Sequence, residues 1–228
     1  GDNSGNSYFQ MNQQNGSRWS ATKAYLRPVI SRKNLTVLTR AHVEKIKIDV
    51  SNGIKTAKGV VASIKDNPSK LFTANKEVIL CAGSIGSPQI LQLSGIAARP
   101  LLDKVGVPLI HELKGVGENL HDHLQIRSVY EVENTITLNH RINSLLGKLS
   151  MGLEYFFLKT GPLTMPPSQL GAFAKSDPSQ STANMEWHVQ PLSLDKFGDP
   201  LHSFNAITPA VCNLRPTSRG HVRIKSSN

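Results

Sequence analysis

Hydrophobic and polar positions alternate most clearly between residues 43 and 64. Ile46, Ile48 and Val50 take every second place in Val43–Val50, the period of a strand with one buried face. Asn52-Gly53 follows, the pair that favours a two-residue hairpin turn, and Gly59–Ile64 reads as the returning strand. Asn34–Thr39 is similarly apolar and β-prone, so the pattern predicts a three-stranded meander closed by the turn Asp66-Asn67-Pro68-Ser69.

From Glu77 the texture changes. Glu77-Val78-Ile79-Leu80-Cys81-Ala82-Gly83 is an almost unbroken apolar run, as expected of a strand buried on both faces. Ser84-Ile85-Gly86 predicts a tight turn. Ser87 can then cap a helix that has Pro88 at its first position, runs through Leu93 and stops at Gly95. A buried strand, a glycine turn and a capped helix make an α/β edge, and the unpaired N–H groups at such a helix start attract anions.

The flanks are plainer. The Asn-, Gln-, Gly- and Ser-rich opening to about Ser20 reads as loop, and Ala21–Leu26 as a short helix ended by Pro28. Strands are expected over Gln125–Val132 and Asn184–Leu192, an amphipathic helix over Ile142–Leu158, and a loop over Pro162–Pro167. One more strand begins at Val222-Arg223-Ile224. No internal repeat is visible.

Composition narrows the function classes. With 228 residues, 39% hydrophobic and 18% charged, the chain has one large domain or two modest ones, and wholesale disorder is excluded. No apolar run approaches the ~20 residues of a membrane helix. The first residues lack the basic start and greasy stretch of a signal peptide, and the missing initiator Met leads us to expect a natural chain that begins upstream. Cys81 and Cys212 allow at most one disulfide, and Cys81 reads as a small buried residue of the apolar run. A reducing compartment is compatible, and the expected place is the cytoplasm or the periphery of the inner membrane. The formal charge of +10 comes from Lys and Arg scattered along the whole chain, which reads as a solvated surface, so nucleic acid is not an expected partner.

Several blocks resemble the glucose–methanol–choline oxidoreductases. Ala82-Gly83-Ser84-Ile85-Gly86-Ser87-Pro88-Gln89-Ile90-Leu91-Gln92-Leu93-Ser94-Gly95-Ile96 is similar to that family's second signature. Val116-Gly117-Glu118-Asn119-Leu120-His121-Asp122-His123 is similar to its "V-G-x-N-L-x-D-H" stretch. Gly16-Ser17-Arg18-Trp19-Ser20, Ala24-Tyr25-Leu26 and Asn34-Leu35-Thr36-Val37 resemble a run of the choline-dehydrogenase-like branch. Arg215-Pro216-Thr217-Ser218-Arg219-Gly220 resembles the opening of the family's C-terminal segment. One departure is Ala97, where the family has Gly.

The resemblance implies FAD as cofactor and oxidation of an alcohol CH–OH group by hydride transfer to the flavin. It implies a small alcohol as substrate, with oxygen or a quinone as electron acceptor. It also implies an internal fragment: the family's G-x-G-x-x-G and its catalytic His are both missing here, so no catalytic residue is assigned to this chain. A lyase that keeps FAD as a relic, or an inert fragment, are the rival readings. The expected fold is part of an α/β FAD-binding domain, residues 1–123, followed by part of an α+β substrate domain with an antiparallel sheet, residues 124–228.

Residue by residue, the resemblance implies that the backbone of Val43 grips the adenine; otherwise Val43 is a core valine. Ala82 and Gly83 would let the backbone approach the dinucleotide, or serve tight strand–helix packing. His188 would touch the substrate oxygen, against burial without function. Gln169 stands where many relatives carry Glu, which argues against a cationic substrate such as choline. His121 and His123 have metal-ligand spacing, but the sequence reveals no third or fourth ligand, and no metal is expected.

Overall fold

The structure, a computed structural model, describes residues 3–65, 67–196 and 198–227. The opening segment is not loop throughout. It gives a strand, β1 (Gly5–Tyr8), antiparallel to Leu170–Ala174, and a short ribbon of β2 (Gln13–Gln14) with β3 (Ser17–Arg18). A strand this polar escapes a reading by hydrophobicity because it is an exposed sheet edge, held by backbone pairing to its neighbour. A wide helical turn, Thr22–Leu26, passes into a tighter one, Arg27–Val29, that contains Pro28.

The strand expected at 34–39 is absent. Val37 and Leu38 remain 42% and 49% exposed, so no sheet buries an apolar face there, and Arg40 breaks the direction at φ 53°. The long hairpin is as expected. β4 (Ala41–Ser51) and β5 (Ile54–Ile64) are joined by Asn52 and Gly53, both at positive φ. Its third strand is β6 (Lys70–Thr73), so the meander lies one strand further along the chain than the pattern predicts. Of the turn expected after it, Asp66 lies outside the described residues.

Residues 77–82 correct the expectation of a doubly buried strand. They have no ladder partner among the described residues, Ile79 is 75% exposed and Cys81 is exposed as a free thiol. The composition suits a central strand, but burial needs a neighbour on each edge. Helix α1 (Gly83–Leu93) starts earlier than expected. Gly83 opens it at φ 78°, and the Ser87 hydroxyl accepts the Ala82 N–H at 3.1 Å, which leaves Pro88 inside the helix. It ends at Gly95, as expected, where φ is 78° and a Cβ would lie 2.4 Å from the Pro108 carbonyl oxygen. The positive φ falls on Gly95, so Ala97 is under no strain; it is fully buried in β7 (Ile96–Ala97). After α2 (Arg99–Val105), β7 pairs in parallel with β8 (His111–Glu112). Ala97, Leu102 and Val107 form a core here, joined by Val116 and Ile224. β9 (Glu118–Leu120) follows.

The strand expected over 125–132 is two pieces, β10 (Gln125–Arg127) and β11 (Tyr130–Glu131). The single helix expected over 142–158 is divided into α3 (Leu138–Asn143) and α4 (Leu145–Leu153), and α4 runs on into a wide turn, Glu154–Leu158. Ser144 makes the break, with extended backbone and a hydroxyl that accepts the Gly147 N–H. The loop at 162–167 contains one tight helical turn. β12 (Leu170–Ala174), β13 (Met185–Gln190) and β14 (Ala206–Asn213) complete an antiparallel sheet of order β1-β12-β13-β14-β10, with β11 also pairing β14. β15 (Gly220–His221) pairs with β9, and in place of the expected strand at 222–224 there is a backbone bond from Val222 N–H to the Gly117 carbonyl at 2.7 Å.

By packing, the chain forms two compact units. One comprises Gly1–Leu35 with His123–Pro216, the other Thr36–Asp122 with Thr217–Asn228. The division between 122 and 123 lies beside the expected domain boundary. The ends are exchanged, because β1 joins β12 and the last residues join β9. The partial α/β and antiparallel α+β architecture agrees with the expected fold class. Among the described residues no helix is long and apolar enough to cross a membrane.

Candidate functional site

The register of the β4–β5 hairpin slips between Val43 and Lys45, leaving Glu44 without an opposite residue. Such a bulge bends the strand and frees backbone groups from the ladder. Val43, half-buried beside the slip, lines a cavity of about 470 Å³ together with Val60, Phe72, Val78, Leu80 and Ala82. Two of the expected cofactor residues, Val43 and Ala82, thus reach the same space from separate parts of the sequence. Gly83 comes next, and nothing lies within 4 Å of where its Cβ would be.

The two longest motif blocks also meet. Ser84, Ser87, Pro88 and Leu91 of the α1 region face Val116–His121 and Val222 across a cavity of about 350 Å³. His121 is held by the Asn119 carbonyl, 2.8 Å from its Nδ1. The unit boundary falls between Asp122 and His123, so His121 belongs to one unit and His123 to the other.

In the other unit, pairing of β12, β13, β14 and β10 lays side chains out in rows. Gly171, His188, Ala210 and Arg127 form one row, and Phe173, Glu186, Cys212 and Gln125 the next. The His188 ring is half-buried. Its Nε2 is 3.2 Å from Glu186 Oε1, and the Phe9 ring packs 4.9 Å away. Gly171 makes room for this: a Cβ there would strike Phe9. Gln169 precedes β12, donating its N–H to the Val189 carbonyl at 3.2 Å. By alternation it shares a face with Gly171 and therefore with His188. The two expected substrate-facing residues stand on one side of one sheet.

Glu186 and Cys212 were not singled out by the sequence. The Cys212 thiol lies 3.7 Å from Glu186 Oε2, and burial, helped by that carboxylate, raises its pKa. A second polar centre escaped the sequence altogether. Asn139, fully buried, donates to the Ser193 hydroxyl and the His202 carbonyl and accepts the Ser193 N–H at 2.8 Å. It ties α3 to the segment after β13, and its partners are too distant in sequence for spacing to reveal.

Residues 1–125 match the family model described as GMC oxidoreductase. The chain is 33% identical over 222 residues to an alcohol dehydrogenase (acceptor) of Pseudomonas putida, covering 97% of this chain and 40% of that protein. It is 38% identical over 213 residues to an oxygen-dependent choline dehydrogenase of Escherichia coli (strain K12 / DH10B), covering 92% and 37%. The chain spans about two fifths of the length of these curated relatives. Among solved structures, an FAD-dependent oxidoreductase from Chaetomium thermophilum matches 98% of this chain and 44% of its own, with a TM-score of 0.81 at 22% identity. Pyridoxine 4-oxidase from Mesorbium loti matches 100% and 40%, with a TM-score of 0.77 at 24% identity.

Proposed function

This chain belongs to the GMC oxidoreductase family, and on that premise we propose that it is the middle part of an FAD-dependent enzyme that oxidises a primary alcohol. The residues present fit the cofactor. The cavity beside Val43 has apolar walls suited to a flat heterocycle, and the bulge at Glu44 turns backbone groups out of the ladder at its rim. Ala82 is small, and the space where Gly83 would carry a side chain is empty to 4 Å, so the backbone there is open to approach. Bound FAD would supply the hydride acceptor.

In this reading the unit containing Thr36–Asp122 serves the cofactor and the unit containing His123–Pro216 serves the alcohol. Val43 holds the adenine through its main chain. His188, kept in place by Glu186 and Phe9, points a ring nitrogen toward the alcohol oxygen, and Gln169 contributes an uncharged wall. The general base that takes the hydroxyl proton comes from a part of the enzyme beyond these residues.

The observation that carries the proposal is the meeting of Val43 and Ala82 at one cavity. The test is anaerobic addition of a primary alcohol to the full-length protein. Bleaching of an oxidised flavin spectrum is the expected result. A bound flavin that no alcohol reduces would favour the non-redox reading, and a protein without flavin would overturn both.

A further inference from the structure

The sheet of the substrate-side unit brings together three donors that the oxidoreductase reading does not use as a set. Cys212 on β14 is registered with Glu186 on one side and Gln125 on the other. His123 stands two residues before Gln125, so alternation returns it to the same face. One ligand atom each from His123, Glu186 and Cys212 lies within 4.8 Å of the other two. We propose that these three side chains bind one divalent transition-metal ion, with zinc the best match.

The geometry fits such an ion. Zinc–ligand lengths of about 2.0–2.3 Å in a tetrahedron place donor atoms roughly 3.5 Å apart. The Cys212 sulfur and Glu186 Oε2 already stand 3.7 Å apart. His123, exposed at the rim, has to close from at most 4.8 Å to about 3.5 Å, within reach of a side-chain rotation. The donor set is one sulfur, one nitrogen and one oxygen. That mixture selects zinc or its neighbours over calcium and magnesium, which take oxygen ligands.

The surroundings support the same assignment. His188 Nε2, 3.2 Å from the other oxygen of Glu186, fixes the carboxylate as an outer partner of a ligand does. Without an ion, a weak thiol donor is the partner this carboxylate has on the Cys212 side. With one, Cys212 gives up its proton to solvent and the cation satisfies sulfur and carboxylate together. Burial falls from Cys212 to Glu186 to His123, so the ion enters from the His123 side and water can take the fourth position.

The test is cobalt titration of the full-length protein after chelator treatment, followed by difference spectra against the flavin background. One Co²⁺ per chain is expected, with a cobalt–thiolate charge-transfer band that zinc displaces. Cys212→Ser should abolish the band and Cys81→Ser should leave it intact. Glu186→Gln and His123→Ala should each weaken binding about ten-fold or more. His123 is exposed, so that variant reports on binding even if Cys212→Ser fails to fold. No thiolate band in the wild type, a band that survives Cys212→Ser, or unchanged affinity in His123→Ala would overturn the proposal.

Discussion

The side chain of Gln92 donates from Nε2 to the carbonyl of Val222 at 2.8 Å, joining positions 130 residues apart. Its Oε1 accepts the Ile224 N–H at 2.9 Å, so one fully buried amide reproduces a strand's worth of pairing for the last residues of its unit. Gln92→Leu keeps the volume but strands a carbonyl and an N–H. At about 1–3 kcal/mol for each unmet buried group, a loss of roughly 2–6 kcal/mol is expected. Thermal unfolding of the full-length variant measures it, and an unchanged Tm would show that water replaces the amide freely.

The two thiols should differ sharply. Cys81 is exposed here while Cys212 is 2% exposed, with its thiol pKa raised by burial and by Glu186. In the 228-residue chain at about pH 8, iodoacetamide should modify Cys81 about ten-fold or more faster than Cys212. In the full-length protein Cys81 should be protected, if 77–82 becomes a central strand. Equal protection of Cys81 in both would mean that the segment finds no partner strands.

Gly83→Val should abolish flavin loading of the full-length enzyme, whereas Cys81→Ala should retain it. Gly83 has φ 78°, where a non-glycine residue costs about 1–2 kcal/mol, yet no atom among the described residues lies within 4 Å of where a Cβ would be. Gly83→Ala carries similar backbone strain with less bulk, and separates strain from obstruction. Flavin absorbance per protein decides; equal loading in wild type and Gly83→Val would place the turn away from the cofactor.

The 228 residues alone should neither retain FAD nor oxidise alcohols. The cavity beside Val43 is open and its outer wall, at Ile79, faces solvent, so half an interface cannot repay the entropy of ordering the dinucleotide. A purified yellow chain with stoichiometric flavin would contradict this.

Gln169→Glu should shift kcat/KM toward choline relative to a neutral alcohol of similar size. A partly desolvated charge-assisted contact is worth about 1.5–3 kcal/mol, so the ratio should move about ten-fold or more. Steady-state kinetics on both substrates checks it. An unchanged ratio would mean that Gln169 does not see the substrate.

Local chemistry was legible where it decides structure locally. Asn52-Gly53 fixes its turn by backbone preference, and Ile46, Ile48 and Val50 declare their strand by period. Elsewhere the deciding partner lies far away. Gly5–Tyr8 is a strand because Leu170–Ala174 is beside it, and the apolar run at 77–82 has no strand beside it among the described residues. Val43, Ala82 and Gly83 were nominated through resemblance alone, since a backbone contact leaves no trace in side-chain type. Glu186 and Cys212 stayed hidden because only the register of β13 against β14 makes them neighbours.

The two units interleave along the chain as first, second, first, second. At a synthesis rate of about 5–20 residues per second, β1 waits roughly 10–30 s for its partner strand to be made. Gln92 waits for the final dozen residues before its amide is satisfied. Neither unit is complete while the ribosome still holds the segment after 123. The order in which these segments leave the ribosome therefore keeps β1 and the Gln92 amide from their partners until late in synthesis.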